Sequence, residues 1–265
     1  MAEEKKAGIL QGRVAVVTGG SAGIGRAAAL TFAREGARVV VADVSMPGGE
    51  ETVAGIRNAG GDAVFVKTDV SQPDSVEAMF IKAQQNYDRI DCAFNNAGIE
   101  GEEALTAECS LENFNRTMEI NLRGVWLCMK HELALMQKRG GGAIVNTSSV
   151  AGMGGFAGLP AYTASKHGIV GLTRTAALEY AKQGIRVNAV CPGVIRTAMI
   201  DRITKDDPER KEQFTEMEPM GRMGKPGEIA EAVIWLCSDA ASFVTGAALA
   251  VDGGMLAATV FGVLG

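Results

Sequence analysis

Histidine is scarce: only His131 and His167 occur in 265 residues, and neither stands in a recognisable nucleophile motif. A Ser-His-Asp hydrolase would have to build its triad on one of them, so that class is disfavoured. The five cysteines (Cys92, Cys109, Cys128, Cys191 and Cys237) form no C-x-x-C, and all but Cys109 lie in apolar segments. Buried, reduced thiols fit this pattern better than a disulfide framework or a metal site. No apolar run approaches the roughly 18 to 20 residues of a membrane helix. The opening MAEEKKAGILQG has charges but no apolar stretch, so a secretion signal is not expected. A basic excess is missing too: 26 Lys and Arg stand against 31 Asp and Glu, net -5. That balance argues against nucleic acid as a partner and for a soluble, cytoplasmic protein.

What the chain does have is a core-forming composition, 47% hydrophobic and 22% charged, at a length near the upper size of one core. One α/β domain spanning 1–265 is the expectation. Short apolar runs alternate with helical patterns. Strands are expected at 13–17, 38–42, 63–67, 91–94, 143–147, 185–190 and 247–251, and helices at 24–35, 48–59, 73–86, 111–138, 161–182 and 226–237. Strict alternation implies about seven parallel strands with helices on both faces, a doubly wound α/β sheet. The charged interval 196–222, with Met199, Ile203 and Met217 interspersed, breaks the rhythm; an active-site lid is its expected role. The tail 262–265 is expected to pack only in an oligomer.

After the first strand, Thr18-Gly19-Gly20-Ser21-Ala22-Gly23-Ile24-Gly25 opens directly into a helix. Glycines there let the backbone turn sharply and approach a pyrophosphate, whose charge a helix N-terminus stabilises. The spacing departs from G-x-G-x-x-G, and the Walker lysine is missing, which disfavours a nucleotide triphosphatase. Asp43 lies 18 residues beyond Gly25, at the end of the second strand. An acid at that place suits a ribose diol and repels a 2′-phosphate, and Ala22 and Val44 bring no basic side chain, so NAD is favoured over NADP. Asp69-Val70 and Asn95-Asn96-Ala97-Gly98 also fall at strand ends, where such sheets bind ligands.

The stretch SVAGMGGFAGLPAYTASK runs from Ser149 to Lys166. Its glycines and Pro160 forbid a continuous helix, and the helical pattern starts at Ala161. Tyr162 and Lys166 are then one turn apart on one face. A phenol is a poor base near neutrality, with a pKa of about 10. An ammonium about 4 Å away contributes roughly 4 kcal/mol at an effective dielectric near 20, enough to lower that pKa by about three units. Tyr162 could then exchange a proton with an alcohol or carbonyl, with Ser149 holding the substrate oxygen.

TGGSAGIG at 18–25, NNAG at 95–98, Asn121, SS at 148–149, YTASK at 162–166 and PGVIRT at 192–197 together resemble the single-domain branch of the short-chain dehydrogenase/reductase family. The likeness covers 10–254, and the 13-residue step from Ser149 to Tyr162 selects Ser149 over Ser148. The resemblance implies a Rossmann-type fold and a tetrad of Asn121, Ser149, Tyr162 and Lys166. Tyr162 would be the general acid/base and Asn121 would keep a water in a proton path to Lys166. Gly19, Ser21, Gly23, Ile24, Gly25 and Asp43 would hold the dinucleotide. Asp69 and Val70 would face the adenine, and Asn96 and Gly98 the adenosine ribose. Tyr162, Lys166, Pro192, Gly193, Ile195 and Thr197 would contact the nicotinamide end. An NAD-dependent oxidoreductase of a small-molecule secondary alcohol or ketone, sugar or cyclic ketone follows, as a homotetramer joined through the long helices. A catalytically silent, NAD-bound regulator is the alternative; the intact Ser149, Tyr162 and Lys166 argue against it. An epimerase would need a further C-terminal domain. Substrate walls are expected from 100–103, 150–156, Val194, Met199, Ile203 and Met217.

Overall fold

The computed structural model describes residues 8–257; the tail 262–265 lies outside them. Seven strands, β1 (Val14–Thr18), β2 (Arg38–Asp43), β3 (Ala63–Lys67), β4 (Cys92–Asn95), β5 (Gly142–Thr147), β6 (Ile185–Pro192) and β7 (Ala248–Val251), form one parallel sheet in the order β3-β2-β1-β4-β5-β6-β7. The central strands are apolar at nearly every position because both faces are covered. Alternation along them divides the core in two. Ala15, Val17, Val39 and Val41 pack with helices α1 (Gly23–Arg34) and α9 (Pro226–Cys237). Val14, Val16, Val40 and Ala42 pack with α3 (Pro73–Tyr87), α5 (Gly124–Arg139) and α6 (Pro160–Tyr180). Helix α2 (Met46–Asn58) flanks β3 on the first face. Cys92, Cys128, Cys191 and Cys237 are free and buried, as expected.

One expectation needs correction. The helix expected at 111–138 is three pieces: α4 (Leu111–Met118), a π-helical turn Glu119–Arg123, and α5. The extra residue in that turn coincides with Asn121, whose side chain is committed to the backbone of Ile99, and hydrophobic periodicity does not register a single inserted position. The interval 196–222 is built as two short helices, α7 (Ala198–Thr204) and α8 (Pro208–Glu216). Asp207 caps α8 by accepting from the Glu209 N–H (2.9 Å), and Pro208 supplies the preset first turn.

A buried polar chain crosses the second core. Asn95 Nδ2 donates to Glu132 Oε2 (2.9 Å) and to Asn146 Oδ1 (3.0 Å), and Asn146 Nδ2 donates to Thr173 Oγ1 (3.0 Å). Burial pushes the Glu132 carboxyl up to about 8, against the opposing pull of the Asn95 hydrogen bond. The native state therefore keeps a proton that the unfolded chain has released, and stability falls as pH rises from about 4.5 through about 8. Glu132→Gln keeps an acceptor for Asn95 and carries no charge. It should melt above the parent at pH 8 and converge with it towards pH 4.5. Thermal melts across that range check the sign; a parent that gains stability with rising pH relative to the variant refutes it.

Candidate active site

The strand order reverses at β1, whose neighbours are β2 and β4, so the chains leaving β1 and β4 diverge and open a crevice at the carboxyl edge. Its two lips are stitched together. Thr18 Oγ1 accepts from the Asn96 and Ala97 N–H groups (3.0 and 3.2 Å), and Asn96 Nδ2 donates to the Thr18 carbonyl (3.2 Å). A Cβ at Gly25 would stand 2.0 Å from the Gly19 carbonyl, so the glycine turn closes only with hydrogen at that position. Helix α1 starts without a side-chain cap, and Gly23 and Ile24 of its first turn line the cavity. Uncapped N–H groups at a helix start are a fitting cradle for a pyrophosphate.

The cavity is about 490 Å³ and runs from Asp43 to the lid helices. Asp43 is anchored at its dinucleotide end: one carboxylate oxygen accepts from the Ser21 N–H (3.0 Å), the other from the Ser45 N–H (2.9 Å). Arg26, which the sequence reading passed over, also reaches this loop. Its guanidinium is engaged by the Ser21 carbonyl (2.9 Å) and by Glu51 (2.8 Å).

At the other end Ser149, Tyr162 and Lys166 line the same cavity. Ser149 leaves β5, accepts from the Ala151 N–H (3.1 Å) and lines the cavity together with Tyr162. The Ser148 hydroxyl is occupied with the Lys166 carbonyl (2.9 Å). Pro160 starts α6, which brings Lys166 Nζ beneath the Tyr162 ring, 5.4 Å from its centroid. There it donates to the Thr147 carbonyl (2.8 Å). Burial dominates both titrations. It pushes the Tyr162 phenol up, with the Ser149 hydroxyl opposing and Glu100 adding to the rise, and it lowers the Lys166 ammonium to about 8. Loss of water around the phenol thus works against the lowering expected from the lysine charge.

Gly19, Ser21, Gly23, Ile24, Asn96, Gly98, Pro192, Gly193, Ile195 and Thr197 also line the cavity. Gly25, Asn121, Asp69 and Val70 do not. Asn121 lies fully buried behind the site, its Oδ1 accepting from Ile99 N–H and its Nδ2 donating to the Ile99 carbonyl, both at 2.8 Å. Asp69 accepts from both the backbone and the hydroxyl of Ser71 (2.9 and 2.7 Å), and Val70 is buried in the second core. Of the expected walls, Glu100, Val150, Ala151, Phe156, Val194, Met199 and Ile203 line the cavity, whereas 101–103, 152–155 and Met217 do not. Leu159, Ile200, Arg202 and Phe214 were missed. Phe214 had a signal: it is the lone aromatic in the charged helix PERKEQFTE.

Two ion pairs tie the lid to the loop after β4. Arg202 is bidentate on Glu100 (2.7 and 3.1 Å), and Arg210 meets Glu103 at 3.2 Å. Solvent-facing pairs add little to global stability. The double variant Arg202→Ala, Arg210→Ala should therefore melt close to the parent while chymotrypsin cuts beside Phe214 several-fold faster. Equal cutting rates would show that the pairs do not hold the lid.

A crevice at the switch point of a seven-stranded parallel sheet, with an anchored acid at one end and a Ser-Tyr-Lys cluster at the other, defines a dinucleotide-binding oxidoreductase. A family model described as enoyl-(acyl carrier protein) reductase matches residues 19–256. The chain is 45% identical to 2,5-dichloro-2,5-cyclohexadiene-1,4-diol dehydrogenase of Sphingobium indicum, over 94% of this chain and 98% of that protein. It is 41% identical to cyclohexanol dehydrogenase of an Acinetobacter species, over 91% and 94% respectively. The crystal structure of levodione reductase superposes with a TM-score of 0.91 at 40% identity, covering 94% of this chain and 100% of that one. The chain belongs to the short-chain dehydrogenase/reductase family. It is an alcohol dehydrogenase/carbonyl reductase that works with a nicotinamide cofactor on secondary alcohols or ketones.

Proposed function

We propose that the chain uses NAD(H) to interconvert a secondary alcohol on a carbocyclic ring with the corresponding ketone. The observation that carries this is the convergence of Ser149, Tyr162 and Lys166 in one cavity whose opposite end is Asp43. When bound, the nicotinamide supplies or accepts the hydride. The protein's own residues do the rest. Ser149 holds the substrate oxygen through its hydroxyl, and Tyr162 takes the alcohol proton in oxidation or gives it to the carbonyl in reduction. Lys166, fixed by the Thr147 carbonyl, puts a positive charge beneath the phenol and offsets the cost of forming a phenolate out of water. Asn121 supports the proton path behind Lys166. Pro192, Gly193, Ile195 and Thr197 hold the nicotinamide end, Asn96 and Gly98 the adenosine ribose, and Asp69 and Val70 the adenine side.

Two features support NAD over NADP. Both Asp43 oxygens are aligned by backbone donors and retain lone pairs for ribose hydroxyls, and their charge opposes a 2′-phosphate. Arg26, the guanidinium that could have welcomed that phosphate, is neutralised by Glu51. A ring substrate is supported by the names of the relatives, which act on a chlorinated cyclohexadienediol and on cyclohexanol. Val150, Phe156, Leu159, Val194, Ile203 and Phe214 offer such a ring an apolar enclosure. Arg202 is already paired with Glu100, which spends its charge within the protein and favours a neutral substrate over an anionic one.

Homotetramer formation and a cytoplasmic location belong to the same reading. Among the described residues no helix is long and apolar enough to cross a membrane. A groove lined by Met118, Leu122, Trp126, Gly168, Gly171 and Leu172 offers α5 and α6 a surface for a second copy.

Tyr162→Phe should lower kcat for cyclohexanol oxidation by about 10²- to 10⁴-fold while NADH still binds, read by nucleotide fluorescence; near-parental turnover would remove Tyr162 from the role. Asp43→Ala should shift the NAD to NADP ratio of kcat/KM by about tenfold or more towards NADP, the loss expected for charged hydrogen bonds. An unchanged ratio would sink the ribose assignment.

A further inference from the structure

Glu218, two residues beyond α8, is 3% exposed and has no part in the chemistry described above. Its Oε1 accepts a hydrogen bond from the Val194 N–H, while Oε2 has no partner among the described residues. The carboxylate is wedged between two backbones at the ends of β6 and β7. A Cβ at Gly193 would lie 2.4 Å from Oε1, and one at Gly253 would lie 2.8 Å from Oε2. Further bonds secure the same junction: Gly193 N–H to the Val251 carbonyl (3.2 Å), Met220 N–H to the Gly253 carbonyl (3.2 Å), and Gly221 N–H to the Glu218 carbonyl (2.8 Å).

Three segments therefore meet on one side chain: the cavity-lining loop 192–197, the turn after β7, and the exit of the lid. Burial pushes the carboxyl up and Asp252 adds to the rise, with the Val194 N–H opposing. A buried carboxyl with an orphaned oxygen is costly, and an apolar side chain of the same size would fill the space more cheaply. The compensating gain is geometric. Val194 precedes Ile195, and Gly193, Val194, Ile195 and Thr197 all face the cavity.

We propose that Glu218 is a positioning residue: by accepting the Val194 N–H it sets the 192–197 loop against the nicotinamide end of the cavity and couples that loop to the lid. This rests on the nicotinamide site described above. Glu218→Gln keeps an acceptor oxygen of the same reach, and Glu218→Ala removes it. In the full-length protein, Glu218→Ala should raise the NADH Kd and the KM for NAD by about tenfold, the consequence of leaving a buried donor without its acceptor. It should also speed hydrogen exchange in the peptide spanning Val194. Glu218→Gln should stay within about threefold of the parent on each measure, a difference below the weight of one hydrogen bond. Should the alanine variant fail to fold, Glu218→Met, similar in length and lacking a strong acceptor, takes its place with the same expectation.

Equal Kd, KM and exchange in the acceptor-free variant, with only a lower melting temperature, would overturn the proposal. So would failure of Glu218→Gln to restore them while melting like the parent. A parent that binds no NADH would instead overturn the nicotinamide reading. Val194 exchange would then still decide whether Glu218 holds the loop.

Discussion

An ammonium and a phenol held together away from water are the constraint around which this molecule is built. Burial pushes the Tyr162 phenol up and brings the Lys166 ammonium down to about 8, so near neutrality the phenol keeps its proton while the lysine still carries most of its charge. Side by side they can share a proton balance that neither reaches separately, because the positive charge favours the phenolate and the phenolate favours the positive charge. Such a pair needs a rigid support. The Thr147 carbonyl, at the end of a strand paired on both sides, receives the lysine, and Pro160 starts the helix that carries both groups.

The sheet supplies the rest of the geometry. A parallel order that turns back at β1 opens its crevice between the glycine turn and the NNAG segment, and Thr18 with Asn96 keeps those lips at a fixed spacing. Charge is managed locally along that crevice. Asp43 is braced by two N–H groups, Arg26 is neutralised by Glu51, and Glu100 is engaged by Arg202. The charged groups along the cavity are thereby fixed in place, and Val150, Phe156, Leu159, Val194, Ile203 and Phe214 give its wall an apolar part.

Much of this was legible along the chain. Strand positions followed from apolar runs, since strands covered on both faces carry them. The glycine turn, Asp43 and the one-turn step from Tyr162 to Lys166 followed from local pattern, and the choice of Ser149 over Ser148 from the family resemblance. Other features were not legible because their causes are remote in sequence. The π turn at Asn121 depends on Ile99, the internal acid Glu132 on Asn95, and the wedge at Glu218 on Val194 and Gly253. Phe214 reaches the cavity only because α8 folds back over it.

The sequence by itself determined the alternation of strand and helix, the sharp turn at residues 18–25, and the one-turn separation of Tyr162 and Lys166, because each depends on residues a few positions apart. Tertiary structure alone decided the environments. Which carboxyls lose their water, which hydroxyl of Ser148 and Ser149 is left for the phenol, and which arginine is neutralised all depend on partners brought from distant parts of the chain. Burial and long-range hydrogen bonding set the energy of a charge, and neither is encoded in spacing.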